Sequence, residues 1–400
     1  MLKLLDLFAG AGGLSLGLTE AGFEPIFACD LKPVFMGAYS LNHPQVKALT
    51  SDIRNLAPES ILQELSLAQG ELDLLAGGPP CQGFSINAPF RSVLDERNHL
   101  FRYFLKFVEV FAPKSILIEN VPGLVSFENG RTLDDILESL SDLGYSAEAK
   151  ILGAAYYGVP QARWRTIIIG LRAKDLPAAI FPEPTYKAPL KVNFTATLQG
   201  KCLVKYPNYK ASLNFVTIDE AIGDLPPLVN GQRGEALKEY LCPPLNAYQL
   251  SARIGSPGVS NHEAPNLTAI NLQRLKFIKP GDNWTSIPDH LLPKGLRLAR
   301  KSDHTKRYGR VRPQDLASTI LTKCDPHWGA YFHYAQDRVF TVREAARIQS
   351  FPDRYVFTGS MADQYAEVGN AVPPLLAKCI GLAIRSVLEK ANIGGDLTAG

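Results

Sequence analysis

The sequence predicts an α/β fold, an open and mostly parallel sheet with a second, smaller and irregular domain attached. Three observations lead there. Continuous apolar runs of strand length recur at residues 2–8 (LKLLDLF), 23–29, 72–76 and 115–121 (SILIENV), each ending in turn residues. Helical patterns alternate with them, most clearly at residues 98–112 and 131–143. At Pro177, Pro182, Pro184 and Pro189 that alternation stops, and sequence rich in Pro, Asn, Gly and Tyr follows to about residue 310, which marks a domain boundary.

The first run leads directly into Ala9-Gly10-Ala11-Gly12-Gly13, and a helix carrying Leu14, Leu16, Leu18 and Ala21 follows before Gly22. Strand, glycine turn and helix together bring a backbone close to a nucleotide-like ligand. Asp30 ends the next run, twenty positions after Gly10, the distance at which an acid meets a pair of ribose hydroxyls. The turn is GAGG rather than GxGxxG, so the expected ligand carries a ribose but no pyrophosphate. Asp52, after a weak third strand, either meets an adenine amino group or is an ordinary turn residue.

Residues 72–85 (LDLLAGGPPCQGFS) are the centre of the chain's chemistry. A buried strand breaks at two glycines and two prolines, and Cys81 is the first residue beyond them. A thiol on a stiff turn at the carboxyl edge of a sheet is a candidate nucleophile. Its plain alternative is a buried small hydrophobe. The helix at 98–112 carries Leu100, Phe101, Phe104, Leu105, Val108 and Phe111, and Pro113 stops it. The strand at 115–121 ends in Glu119-Asn120-Val121-Pro122, and a carboxylate there is costly unless paired or used. Two more strands flank GVPQARWR (residues 158–165). Arg163 and Arg165 share a face if that stretch is extended, and otherwise form a solvated basic strand end.

In the irregular region, residues 294–312 hold eight Lys and Arg against Asp303 alone, beside His304 and Tyr308. Such a cluster is either solvated surface or a phosphate-backbone contact. Thr341-Val342-Arg343-Glu344 is a capping box opening a short helix that Phe351-Pro352 closes. Gly369-Asn370-Ala371-Val372-Pro373-Pro374 leads into a helix whose stripe of Leu376, Cys379, Ile380, Ala383, Ile384 and Val387 needs a core, and the first domain supplies it. The tail after Lys390 is expected to fray.

Composition bounds the rest. Hydrophobic residues at 46% and charged ones at 20% suit a soluble globular protein, and no apolar run approaches a membrane span. Asp6 and the glycines after it interrupt any signal-peptide core. Six scattered cysteines without a CxxC pair suit a reducing compartment, with neither disulfides nor a metal site. A net charge of +3 does not announce a nucleic-acid binder, so local placement of charge matters more.

Taken together, the motifs resemble the DNA (cytosine-5)-methyltransferase family, in its bacterial restriction-modification type. DLFAGAGG (residues 6–13) is similar to the family's S-adenosylmethionine loop, GGPPCQGFS (77–85) to its nucleophile motif and ENVPG (119–123) to its glutamate motif. GVPQARWR (158–165), REAARIQSFPD (343–353) and VGNAVPPLLA (368–377) match three more, in the usual order; TIDEAIGDLPPL (217–228) resembles a segment frequent in bacterial members. Asp30 stands where many members carry glutamate.

The resemblance implies a Rossmann-like, doubly wound methyltransferase domain at residues 1–185 and 355–400, and a target-recognition domain at 186–354. It implies methyl transfer from S-adenosyl-L-methionine, leaving S-adenosyl-L-homocysteine, to carbon 5 of a flipped-out cytosine in a short sequence of double-stranded DNA. Cys81 would add to carbon 6, Glu119 would bond ring N3 and the exocyclic amine, and Arg165 with Arg163 would hold the base oxygen. The base that takes the carbon 5 proton is left open, with water among the candidates.

Cofactor contacts are implied from Phe8, Gly10, Gly12, Gly13 and Leu14 in the first loop, and from Asp30, Leu31, Asp52 and Ile53 after the next strands. Pro79, Leu100, Asn370 and Val372 complete that set. Gln82, Ser85 and Arg97, in a loop closing over the base, and Arg307 and Arg310 are the implied DNA contacts. The resemblance further implies a monomer in the bacterial cytoplasm, associated with the nucleoid and not the membrane, and a cognate restriction endonuclease acting separately.

Overall fold

The computed structural model describes residues 1–80, 100–172, 180–190, 202 and 211–396. In chain order, β1 (Leu2–Leu7), α1 (Gly13–Glu20), β2 (Phe23–Asp30), α2 (Pro33–Asn42), β3 (Lys47–Thr50), α3 (Pro58–Glu64), β4 (Leu74–Gly77), α4 (Leu100–Phe111), β5 (Ser115–Asn120), α5 (Arg131–Asp142), β6 (Tyr145–Gly153), β7 (Gln161–Ala162) and β8 (Trp164–Arg172) follow the alternation that the sequence predicts. Seven strands form one sheet in the order β3-β2-β1-β4-β5-β8-β6. The pairings from β3 to β5 are parallel. Only β8 runs the other way, inserted antiparallel between β5 and β6.

The strand order reverses between β1 and β4, the place where an open α/β sheet forms its crevice beyond the strand carboxyl ends. The chain divides into two compact units, Met1–Tyr157 with Trp164–Leu213 and Val372–Gly400, and Gly158–Arg163 with Asn214–Ala371. The main stretch of the second unit thus begins and ends later than residues 186–354, and the unit also takes in the GVPQAR stretch.

In the first unit, the strands read as apolar runs because both faces are covered. Leu4, Leu5 and Leu7 of β1, Leu74 and Leu75 of β4 and Ile116, Leu117 and Ile118 of β5 are all buried. The terminal helix Pro374–Asp396 packs on α1, with Leu376, Ile380, Ile384 and Val387 buried as its stripe predicts. Glycines make that approach close. A Cβ on Gly17 would collide with the backbone at Pro374, and one on Gly381 with Ala21 and Leu18. Against the sequence expectation, the segment Met361–Ala391 is long and apolar enough to cross a membrane by length and composition. The buried stripe gives the ordinary reason for that apolarity.

The second unit has little regular structure and holds buried charge. Thr341 and Glu344 form the predicted capping box at the start of the helix Val342–Ile348. Arg343, Glu344 and Arg347 of that helix are buried, although such residues are exposed by default. Each is matched. Arg338 places Nη1 and Nη2 on the two oxygens of Glu344 at 2.7 and 2.6 Å, and Arg347 grips Asp353 at 2.6 Å and Asp224 at 3.1 Å. Arg343 donates to the carbonyls of Pro352 and Tyr355. Buried charge is tolerated on these terms only.

Glu367, on the helix Met361–Asn370, is the exception. It is buried, its Oε2 accepts from the Thr358 amide at 3.2 Å, and its Oε1 has no hydrogen-bond partner among the described residues. Burial pushes its carboxyl up to about 8. The folded chain therefore keeps a proton that the unfolded chain releases near pH 4.5, and stability drops as pH rises from there to about 8. Glu367→Gln should stabilise the protein at pH 8 by about 1–3 kcal/mol and leave it nearly unchanged at pH 5. Urea unfolding at both values checks this; equal effects at both would remove the carboxyl's proton from the account.

Candidate active site

Most of the predicted site residues of the first unit gather at one edge of its sheet. The first loop follows β1, Asp30 is the last residue of β2, Asp52 lies just past β3, Pro79 past β4, and Glu119 is the penultimate residue of β5. Because β8 is antiparallel to β5, its first residues come to the same edge, where Asn120 is opposite Thr166.

Between β1 and α1 the backbone turns through left-handed conformations at Phe8 (φ 62°), Gly10 (φ 55°) and Gly12 (φ 93°). Phe8 is not glycine, and strain of about 1–3 kcal/mol at such a residue is typical of functional loops. The Gly10 amide donates to Asp30 Oδ2 and the Lys32 amide to Asp30 Oδ1, both at 3.0 Å. Burial raises the Asp30 carboxyl, and these two amides work against that rise. Beside Gly10 a Cβ would meet nothing within 4 Å, so the loop borders open space.

A partnership that the sequence does not reveal lies under this loop. Ser15 Oγ donates to Asp6 Oδ2 at 2.6 Å and stands 2.8 Å from the Tyr39 hydroxyl. Asp6 is buried, burial pushes its carboxyl up to about 7, and its Oδ1 has no hydrogen-bond partner among the described residues. Polar groups nine and twenty-four residues apart in apolar surroundings leave no periodic signal; the D of DLFAG was the only pointer.

Leu14 and Ile53 are buried, Leu31 is mostly exposed, and Leu100 opens α4 half-buried. Asp52 accepts from the Arg54 amide and is also paired with the Arg54 guanidinium at 2.7 Å. This is the turn role that its sequence position allowed. Val372 is buried in the first unit, and Asn370 ends the helix Met361–Asn370 in the second, exposed.

At the far side of the edge, Arg165 Nε lies 2.6 Å from Glu119 Oε1, with both side chains largely buried. Burial lowers the Arg165 guanidinium and Glu119 raises it. A Cβ on Gly78 would stand 3.3 Å from Glu119 Oε2, so the missing side chain lets that carboxylate lie against the loop after β4. Asn120 Nδ2 donates to the Pro79 carbonyl at 3.1 Å and ties this loop to β5. The second residue of ENVPG thus has a positioning role that sequence reasoning missed. Cys81, Gln82, Ser85 and Arg97 lie outside the described residues, which resume at Leu100 after Pro80.

Two expectations for arginines change. Arg163 lies between β7 and β8 and does not share a face with Arg165. Its guanidinium donates to the carbonyls of Ile320, Gly369 and Ala371 at 3.0–3.1 Å, within the second unit. Arg310, an expected DNA contact, is tied to Asp337 at 3.0 Å and to the carbonyls of His333 and Tyr334. Its charge is already committed, because the surrounding loops need those carbonyls satisfied. Arg307 instead lies over the exposed ring of Trp328, 5.5 Å from its centroid.

A family model for C-5 cytosine-specific DNA methylase matches residues 2–386. The chain belongs to that family. The Type II methyltransferase M.AgeI of Thalassovita gelatinovora is 34% identical, across 97% of this chain and 100% of that protein. M1.HphI of Haemophilus parahaemolyticus is also 34% identical, across 96% of this chain and 86% of its own length. The Arabidopsis thaliana DNA (cytosine-5)-methyltransferase 4 is 32% identical across 97% of this chain, which spans 28% of that longer protein.

Among solved structures, a DNA modification methyltransferase encoded in an E. coli prophage superposes with a TM-score of 0.72 at 22% identity, covering 97% of this chain and 100% of its own. The S. pombe Dnmt2 methyltransferase gives 0.54 at 18%, covering 98% and 100%. These two establish the methyltransferase fold. The methylase is an enzyme that methylates cytosine in DNA.

Asp30 and Glu119 lie at different strand ends, so the two roles that the resemblance implies for them can be tested separately. Asp30→Ala should weaken cofactor binding by about 1–3 kcal/mol, the cost of leaving buried hydroxyls unpaired. Glu119→Gln should instead lower turnover and leave cofactor affinity almost unchanged. Calorimetric titration with cofactor and steady-state kinetics on both variants check this, and exchanged outcomes would mean exchanged roles.

Proposed function

We propose that the methylase transfers the methyl group of S-adenosyl-L-methionine to carbon 5 of one cytosine in a short, specific sequence of duplex DNA, through covalent addition of Cys81 to carbon 6 of the flipped-out base. The observation that carries this reading is the pairing of Glu119 with Arg165 against the Gly78 backbone, three residues before Cys81 and on the strand edge that also holds Asp30.

The residues fit such a cofactor. The Asp30 carboxylate accepts backbone amides from Gly10, Lys32 and Leu31, which leaves acceptor capacity for ribose hydroxyls, and the space beside Gly10 admits a ligand. When bound, the cofactor supplies an electrophilic methyl group. The chain's own groups do the rest. The Cys81 thiolate forms a bond to carbon 6, and the displaced electron pair makes carbon 5 nucleophilic. Glu119, as the carboxylic acid and positioned beside Arg165, donates to ring N3 and accepts from the exocyclic amine as charge moves onto the ring. Carbon 5 takes the methyl group; a base, with water among the candidates, then accepts the carbon 5 proton, which returns an electron pair to the ring, and Cys81 leaves as thiolate. Arg165, flanking Glu119, favours that thiolate.

Double-stranded DNA is the substrate in this reading. The Type II relatives support a separate cognate restriction endonuclease, and a monomeric enzyme in the bacterial cytoplasm near the nucleoid belongs to the same reading. Labelled-methyl transfer to duplex DNA, to tRNA and to neither distinguishes this reading from its rivals. Label in 5-methylcytosine of duplex DNA is expected. Label in tRNA alone would make the chain an RNA methylase, and no label would leave a binding protein.

A further inference from the structure

The second unit holds an exposed aromatic group that no step above uses. Trp328 is 58% exposed, whereas Trp284 of the same unit is 3% exposed. Its surroundings are fixed. The Tyr308 amide donates to the Pro326 carbonyl at 2.6 Å, and the rings of Tyr308 and His327 meet edge to face at 6.1 Å. Trp284 anchors the neighbouring loop from below, through its amide to the Arg307 carbonyl and its indole nitrogen to the Asp303 carbonyl, both at 3.1 Å. The His327 ring stands edge-on to Trp328 at 5.1 Å, and the Arg307 guanidinium covers it at 5.5 Å. An indole braced in this way loses little freedom on binding.

The charge around it is mostly of one sign. Residues 294–328 hold nine Lys and Arg against three Asp, a surplus of six, while the whole chain's surplus is three, so the remainder of the chain is net acidic. Lys306, Arg312 and Lys323 are exposed, and Lys306 and Arg312 border a shallow cleft with Thr305 and Ser318. A rigid, solvent-facing indole amid surplus cations, with Arg312 in an exposed pairing with Asp315 at 3.9 Å, fits a partner offering both flat π faces and phosphates. An acidic protein would meet the cations but would leave the indole without a matching face.

Resting on the reading of duplex DNA as substrate, we propose that Trp328, braced by Arg307, stacks on a base that becomes unstacked when the enzyme opens the duplex, while Lys306, Arg312 and Lys323 contact phosphates. Arg310 takes no part, because its guanidinium is engaged inside the unit.

The test uses the full chain and duplex oligonucleotides carrying the sequence that the enzyme methylates. Duplex DNA should quench tryptophan fluorescence in the wild type, and Trp328→Phe should remove that quenching while binding within about threefold. Trp328→Ala should weaken binding by roughly 5- to 100-fold, the range that base–aromatic stacking supports, with an unchanged salt slope. Lys306→Gln, Arg312→Gln and Lys323→Gln should each reduce the slope of log K against log salt by about one. Tight duplex binding by wild type without quenching, or by Trp328→Ala without loss, would overturn the stacking contact and leave the substrate reading standing. Binding to RNA alone, or to no nucleic acid, would overturn both.

Discussion

Cys81→Ser is expected to lower methyl transfer by roughly 10⁴- to 10⁶-fold, the scale on which removal of a covalent nucleophile is felt. A serine hydroxyl is only negligibly ionised near neutral pH, so it is a far poorer nucleophile than a thiolate. The loss should appear wholly in the chemical step. Asp30 and the loop after β1 belong to other strand ends, so cofactor affinity should stay within about twofold, and duplex DNA should still bind. Single-turnover methyl transfer, measured beside both binding constants, separates these quantities. A variant retaining a tenth of wild-type turnover would remove Cys81 from the mechanism.

A chain ending at residue 366 is expected to be insoluble, or to fail to bind cofactor, with every proposed catalytic residue retained. The cut removes the helix Pro374–Asp396, which packs on α1, the helix that follows the loop after β1. Leu376, Ile380, Ile384, Val387 and Leu388 are buried there. At about 1.5–3 kcal/mol for each fully buried side chain, their loss matches or exceeds the usual stability of a domain. The figure is an upper bound, since unfolded chains already bury some apolar surface. Gly17→Leu tests the same interface in the full chain, because its side chain would enter the Pro374 backbone. Solubility, thermal midpoint and cofactor titration of both proteins check this. A soluble, cofactor-binding truncation would show that α1 does not need the terminal helix.

The parts of this protein that show in the sequence are those set by local chemistry. Apolar runs such as residues 2–8 and 115–121 became strands because burial on both faces demands them. The Thr341–Glu344 box formed because both capping partners lie within one turn. Asp30 reached the glycine loop because a strand–turn–helix of this length leaves the next strand end nowhere else to go. What the sequence hides depends on pairings far along the chain. The insertion of β8 between β5 and β6 has no local mark, yet it delivers Arg165 to Glu119.

Arg163 and Arg165 look equivalent two residues apart, and a break between two strands sends one to backbone carbonyls and the other to a carboxylate. Asp6 and Ser15, or Arg347 and Asp224, are polar residues whose burial is explained only by partners that three-dimensional packing brings to them.

The covalent step is the centre of the proposed mechanism, and a duplex carrying 5-fluorocytosine at the target position tests it directly. Fluorine cannot leave carbon 5 as a proton does, so Cys81 should stay bonded to carbon 6 after methyl transfer. The account predicts a denaturation-resistant protein–DNA adduct that needs S-adenosyl-L-methionine, with the DNA mapped to Cys81 by peptide mass, and no adduct with Cys81→Ser. An equal yield of adduct from Cys81→Ser, or wild-type enzyme that methylates cytosine in duplex DNA yet never forms the adduct, would contradict it.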